Sequence, residues 1–184
     1  KQATAGLPTG QKINQFAQLA AKGVGLAIPT FIAQNFGARK YNRAMQGVKI
    51  AFWLTMAFTV IPGFAVLAFA EPLARIFAPD EQVISVIVGF LKTVMPFYGF
   101  MGLHQIFSGV NKGFHEAKFD MFNNIFSMVI IRQLWLAVSL AHEHVIQNIF
   151  WCYPLTWATA GLTSAAYYLF VVKKKVARRI ADKQ

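Results

Sequence analysis

Three cations, Lys22, Lys92 and Arg132, interrupt otherwise apolar stretches of the chain, and their chemistry constrains everything around them. A charge at the centre of a membrane helix costs about 2.5–3.5 kcal/mol, whereas each Leu, Ile, Phe or Val returns about 0.3–0.6. The stretch 121–141 carries ten such residues, which return roughly 3–6 kcal/mol, so it can insert with Arg132 by a small margin. Arg132 is therefore expected to point into a helix bundle and bond neutral side chains or backbone carbonyls beside a wet cavity. Lys22 and Lys92 can instead reach the interface along their alkyl stems. No acid accompanies them. Glu71, Asp80, Glu81, Glu116, Asp120, Glu143 and Asp182 all fall in loops, at stretch edges or in the tail.

Other reactive residue types form no constellation. His104 and Gln105 share an apolar stretch and are candidates to line a cavity, but His104 has no second metal ligand at helical spacing. His142, Glu143 and His144 are consecutive, so they do not converge on one point of a helix face. Cys152 is the single cysteine, which excludes an intrachain disulfide and a Cys-rich zinc site. A nucleophile–base–acid set, a phosphate loop and a dinucleotide fingerprint are all absent, which argues against an enzyme. Aromatics such as Tyr98, Trp135, Tyr153 and Trp157 could stack on lipophilic cations, or could simply pack helices.

The elements that must hold these residues follow from hydropathy. Apolar residues make up 56% of the 184 residues and charged ones 14%, about half the charge of an ordinary soluble domain. Runs near 48–70, 83–107, 121–141 and 145–172, with a more polar one near 13–35, are each long enough to span a bilayer. The fold expected is an all-α, polytopic transmembrane bundle of about five spans, forming one domain over 1–184 with a basic tail at 173–184.

The net charge of +11 does not form a nucleic-acid stripe, because the cations sit at the ends of apolar runs. One set of ends holds Arg39, Lys40, Arg43, Lys49, Lys112, Lys118, Lys173, Lys174, Lys175, Arg178, Arg179 and Lys183; the opposite loops hold only Arg75. The positive-inside rule puts the first set, and the C-terminus, in the cytoplasm of a cell whose inner membrane the chain crosses several times. Lys1 then lies on the other side, as for a chain that starts in mid-protein.

Prolines at 29, 62, 96 and 154 lie within the spans and favour kinks. Pro96, among polar and aromatic neighbours, is the expected cavity-forming bend. Gln34-Asn35-Phe36-Gly37-Ala38 closes the first span, with Gly37 suited to a left-handed C-cap.

That motif, followed by the basic ARKYNRA opening the next run, resembles the MATE family of multidrug and toxic-compound extrusion transporters. FAPDEQVI, GVNKGFHEAKF, IIRQLW and FWCYPLTW follow in the family's order, so the resemblance covers nearly the whole chain. It implies two six-helix lobes related by pseudo-symmetry, of which this chain holds helices eight to twelve, a partial second lobe. The implied function is export of drugs or organic cations by proton- or sodium-coupled antiport; the alternatives are a lipid-linked sugar flippase of the same superfamily and a non-transporting membrane module. The implied cavity residues are Pro96, Tyr98, Met101, His104, Gln105 and Arg132, and Gln34, Asn35, Gly37 and Ala38 carry the family motif. Some members carry an acid where this chain has an uncharged residue near Met101. No cofactor is implied, and the coupling-ion site is expected mainly in the missing N-terminal lobe. The partners implied are membrane lipids, a lipophilic or cationic small molecule and that lobe, with no nucleic acid.

Overall fold

The computed structural model describes residues 2–142 and 146–181. Glu143, His144 and Lys183 lie outside the described residues. The described chain is helical almost throughout. Helices α1 (Gln2–Ala17) and α2 (Leu19–Gly37) form a broken pair, followed by α3 (Tyr41–Ala68) and the short α4 (Ala70–Phe77). A long α5 joins Glu81–Val94, a 3-10 turn at Met95–Phe97, and Tyr98–Gly113. Two further long helices each contain a π-helical stretch. α6 comprises Ala117–Asn124, the π stretch Ile125–Ile131 and Arg132–His142; α7 comprises Ile146–Tyr167, the π stretch Tyr168–Val172 and Lys173–Ala181. Four helices are long and apolar enough to cross a membrane, and the α1–α2 pair makes a fifth span if counted as one.

The first span differs from the sequence expectation. It begins well before residue 13 and bends by 54° between α1 and α2. Neither Pro nor Gly stands at the break. The Gln18 N–H turns back to the Gln15 carbonyl (3.2 Å), a 3-10-type bond that leaves the Asn14 carbonyl without its helical donor. The Tyr98 hydroxyl fills that vacancy, hydrogen-bonding the Asn14 backbone oxygen (3.0 Å) and also its side-chain oxygen. Pro96, the expected bend, has an exposed ring within the 3-10 turn of α5.

α5 is the central element, flanked by α2 and α7. Gly109 and Gly113 of α5 face Ile28 and Ile32 of α2, so the two helices run parallel. On the other flank, a methyl group at Gly161 would lie 2.7 Å from the Phe100 carbonyl oxygen and 3.1 Å from the His104 nitrogen. Small residues that let backbones approach are how membrane helices gain contact without a hydrophobic drive. Two apolar clusters hold the bundle, one around Phe90, Tyr98 and Trp157 and one around Ile32, Phe107 and Tyr168.

The basic end is built from two similar helix stops. At the end of α2 the Lys40 N–H bonds the Asn35 carbonyl (2.8 Å) and the Arg39 N–H bonds that of Phe36 (3.0 Å). At the end of α5 Glu116 bonds Asn111 (2.9 Å) and His115 bonds Lys112 (3.0 Å). Both are Schellman motifs. The left-handed residues are Arg39 (φ 57°) and His115 (φ 66°), so the expectation that Gly37 takes that conformation is corrected: Gly37 is still helical. Asn35 Nδ2 donates to the Phe31 carbonyl one turn back (2.8 Å), and the Gln34 backbone carbonyl accepts from Ala38 (3.0 Å). The last turns of α7 clasp both stops, with Arg179 stacked over Phe36 (4.9 Å) and Lys175 paired with Glu116 (2.7 Å). That Lys175 bond, with one from the Tyr167 hydroxyl, holds the Glu116 carboxyl below the usual carboxylate value. At the opposite end Arg75 bridges Glu71 (3.0 Å) and Glu81 (2.6 Å) in the open.

Candidate functional site

A cleft of about 530 Å³ runs along α5 on its α2 side. The break supplies its floor, Gln18, and α2 adds Lys22 and Leu26. From α5 come Met101, His104, Gln105, Ser108 and Lys112. Their spacing of three, four and seven residues is one helical face. Asn124 of α6 and Trp157 of α7 complete the wall. The cleft therefore combines an indole and apolar side chains with amides, a hydroxyl, an imidazole and two ammonium groups, the mixture a binding site for an amphipathic molecule needs. Lys22 and Lys112 are the formal charges among the described lining residues, and no carboxylate lines it.

A carboxylate does stand behind the wall. α6 begins at Ala117, which places Asp120 in its first turn, and the residue is 1% exposed. Asp120 keeps to the edge of its span, but it is buried there. Asp120 Oδ2 pairs with Lys112 Nζ at 3.0 Å and accepts from Asn124 Nδ2 at 3.1 Å. Its Oδ1, like His104 Nδ1, is buried without a hydrogen-bond partner among the described residues. Groups of three or more His, Cys, Asp or Glu suited to a metal are absent among the described residues.

The remaining sequence candidates are dispersed. Met101, His104 and Gln105 line the cleft, whereas Tyr98 is buried at the helix break and Pro96 lies outside. Arg132 turns into the bundle away from the lining: Nη2 reaches Thr156 Oγ1 (3.4 Å) and the guanidinium stacks on Tyr153 (4.9 Å). Its partners are thus a neutral hydroxyl and an aromatic face, and Nε remains unpartnered among the described residues. Tyr153 meets Trp157, which lines the cleft, at 6.0 Å, so aromatic contact links Arg132 to the cleft. Ser108 and Lys112 extend the periodic face that His104 begins, a pattern present in the sequence. Gln18 and Asn124 carry no such mark, because their positions depend on the break and on the α6 start.

Residues 1–135 match the MatE family model. The chain belongs to the MatE family. The MatE chain described here is a multi-pass membrane protein. It is 25% identical over 167 residues to a FAD transporter of Shewanella oneidensis, covering 91% of this chain and 36% of that protein. It is 23% identical over 180 residues to a probable multidrug resistance protein, YoeA, of Bacillus subtilis, covering 97% and 39%. Among solved structures, a mutant of the Vibrio cholerae MATE transporter VcmN superposes with a TM-score of 0.84 at 20% identity, covering 95% of this chain and 40% of that one. The fold is that of part of a MATE transporter, and the chain spans about two-fifths of the length of these proteins.

Proposed function

We propose that this MatE chain forms the second-lobe side of a transporter that exports amphipathic organic compounds, drugs and organic cations among them, by antiport against protons or sodium. The observation that carries the reading is the cleft beside a broken helix, where a half-helix end and a mixed apolar and polar wall face one space. A first lobe would close the other side of that space and hold most of the coupling-ion site. The basic helix ends would lie in the cytoplasm of a cell bounded by the inner membrane. Efflux of ethidium from energised cells tests this: expression should lower dye retention, and collapse of either the proton or the sodium gradient should restore it. Retention that ignores both gradients would sink the coupling.

A second reading has its own support. Lys22 and Lys112 line the cleft and no carboxylate is among its lining residues, and one relative is a FAD transporter. Both favour a substrate bearing negative charge.

A further inference from the structure

We propose that Lys112 is a tethered cation of the cleft, and that the charge on Asp120 behind the wall decides whether it lies against that wall or enters the substrate space. The inference rests on the transport reading and names what sets the charge preference of its cleft.

The geometry gives Lys112 two places to be. Its side chain is half exposed at the cleft, 49%, while that of its partner Asp120 is 2% exposed. The pair is therefore open on one side alone. A buried carboxylate that loses its counter-ion becomes an uncompensated charge, which is strongly disfavoured. An ionised Asp120 thus keeps Lys112 on the wall. Asp120 also has a free oxygen: Oδ2 takes both Lys112 and Asn124, and Oδ1 takes neither. Without the carboxylate charge the ammonium group has no partner on the wall, and the wet space within its reach is the cleft. There it repels an organic cation and attracts an organic anion.

The groups around Asp120 are few. α5 presents Lys112 and, further along, His104. The segment 146–167 of α7 has no Lys, Arg, His, Asp or Glu, and its Tyr167 hydroxyl is engaged with Glu116. Lys118, on the same helix as Asp120, is exposed.

The test uses two probes of like shape and opposite charge, tetraphenylphosphonium and tetraphenylborate, with the full-length protein in lipid nanodiscs and empty nanodiscs as background. D120N should bind the cation about tenfold more weakly than the wild type and should gain affinity for the anion by a similar factor. K112Q and the double variant D120N/K112Q should bind the cation at least as tightly as the wild type. D120N that binds both probes as the wild type does overturns the proposal, and a double variant as weak as D120N overturns it as well. A wild type that binds neither probe removes the transport reading itself, whereas binding with unaltered variants removes this inference alone.

Discussion

α5 carries polar residues on both flanks, and the two flanks use them oppositely. Toward α6 and α7, Asn123 donates to the Ala160 carbonyl (3.1 Å) and Ser164 Oγ (2.8 Å) and accepts from Thr163 (2.5 Å), while Asn111 donates to the Ser164 carbonyl (3.2 Å). Those bonds tie three helices together at close backbone range. Toward α2, His104, Gln105, Ser108 and Lys112 border open space, and the buried His104 Nδ1 lacks a partner among the described residues, as Asn111 Oδ1 does on the other flank. Hydrogen-bonding capacity in a membrane is expensive to leave unused. Where it is spent on neighbouring helices the interface is fixed; where it is kept open, a ligand can use it.

Substitutions should separate the flanks. The largest effect is expected from Gly161→Val, which forces side-chain atoms against the Phe100 carbonyl and costs about 3 kcal/mol by overpacking. Protein yield and melting temperature in detergent should both fall sharply. Gly99→Ala on the same helix pair, where a methyl meets nothing within 4 Å, should leave both intact. Next comes Asn123→Ala, with an expected loss of about 1–2 kcal/mol read as a lower melting temperature. Gln105→Ala on the open flank should change stability by less than about 0.5 kcal/mol yet alter dye efflux. If the two variants destabilise equally, the contrast between flanks is wrong.

Arg132→Met probes the link between them through Tyr153 and Trp157. Normal protein levels with reduced efflux are expected; lost protein would mark Arg132 as a structural staple. The smallest effect concerns Glu116 at the basic end. Its carboxyl is held below the usual value of 4.5 by Lys175, so the stability it adds is present above that value and is lost as pH falls through the lowered one. The contribution should be under about 1 kcal/mol after solvent screening, seen as an acid-limb shift in melting temperature that Glu116→Gln removes.

The spans were legible because their apolar runs exceed the bilayer thickness, and the α3 and α7 prolines did not break them. What hydropathy hid was what polar residues decide. α1, QATAGLPTGQKINQFA, looked too hydrophilic to open a span, yet Asn14 and Ile13 are buried in it. The bend at Gln18 carried no proline signal, and Tyr98, from another helix, accommodates the freed carbonyl there. Of the cavity candidates, those on one periodic face of α5 were readable. The burial of Asp120 was not, since it depends on the ends of α5 and α6 meeting where Lys112 pairs with it.

The π stretch Ile125–Ile131 has a geometric consequence of its own. Asn123 and Arg132 are nine positions apart, about two and a half turns of regular α-helix, which would aim them in opposite directions. Both nevertheless touch α7, Asn123 at Ala160 and Ser164 and Arg132 at Thr156. The wider i→i+5 turns make up the missing rotation. The stretch acts as a phase corrector that absorbs one surplus residue: removing one residue from it would leave a separation of eight, which a regular α-helix puts on one face, so both side chains would keep their contacts with α7 without any π turn.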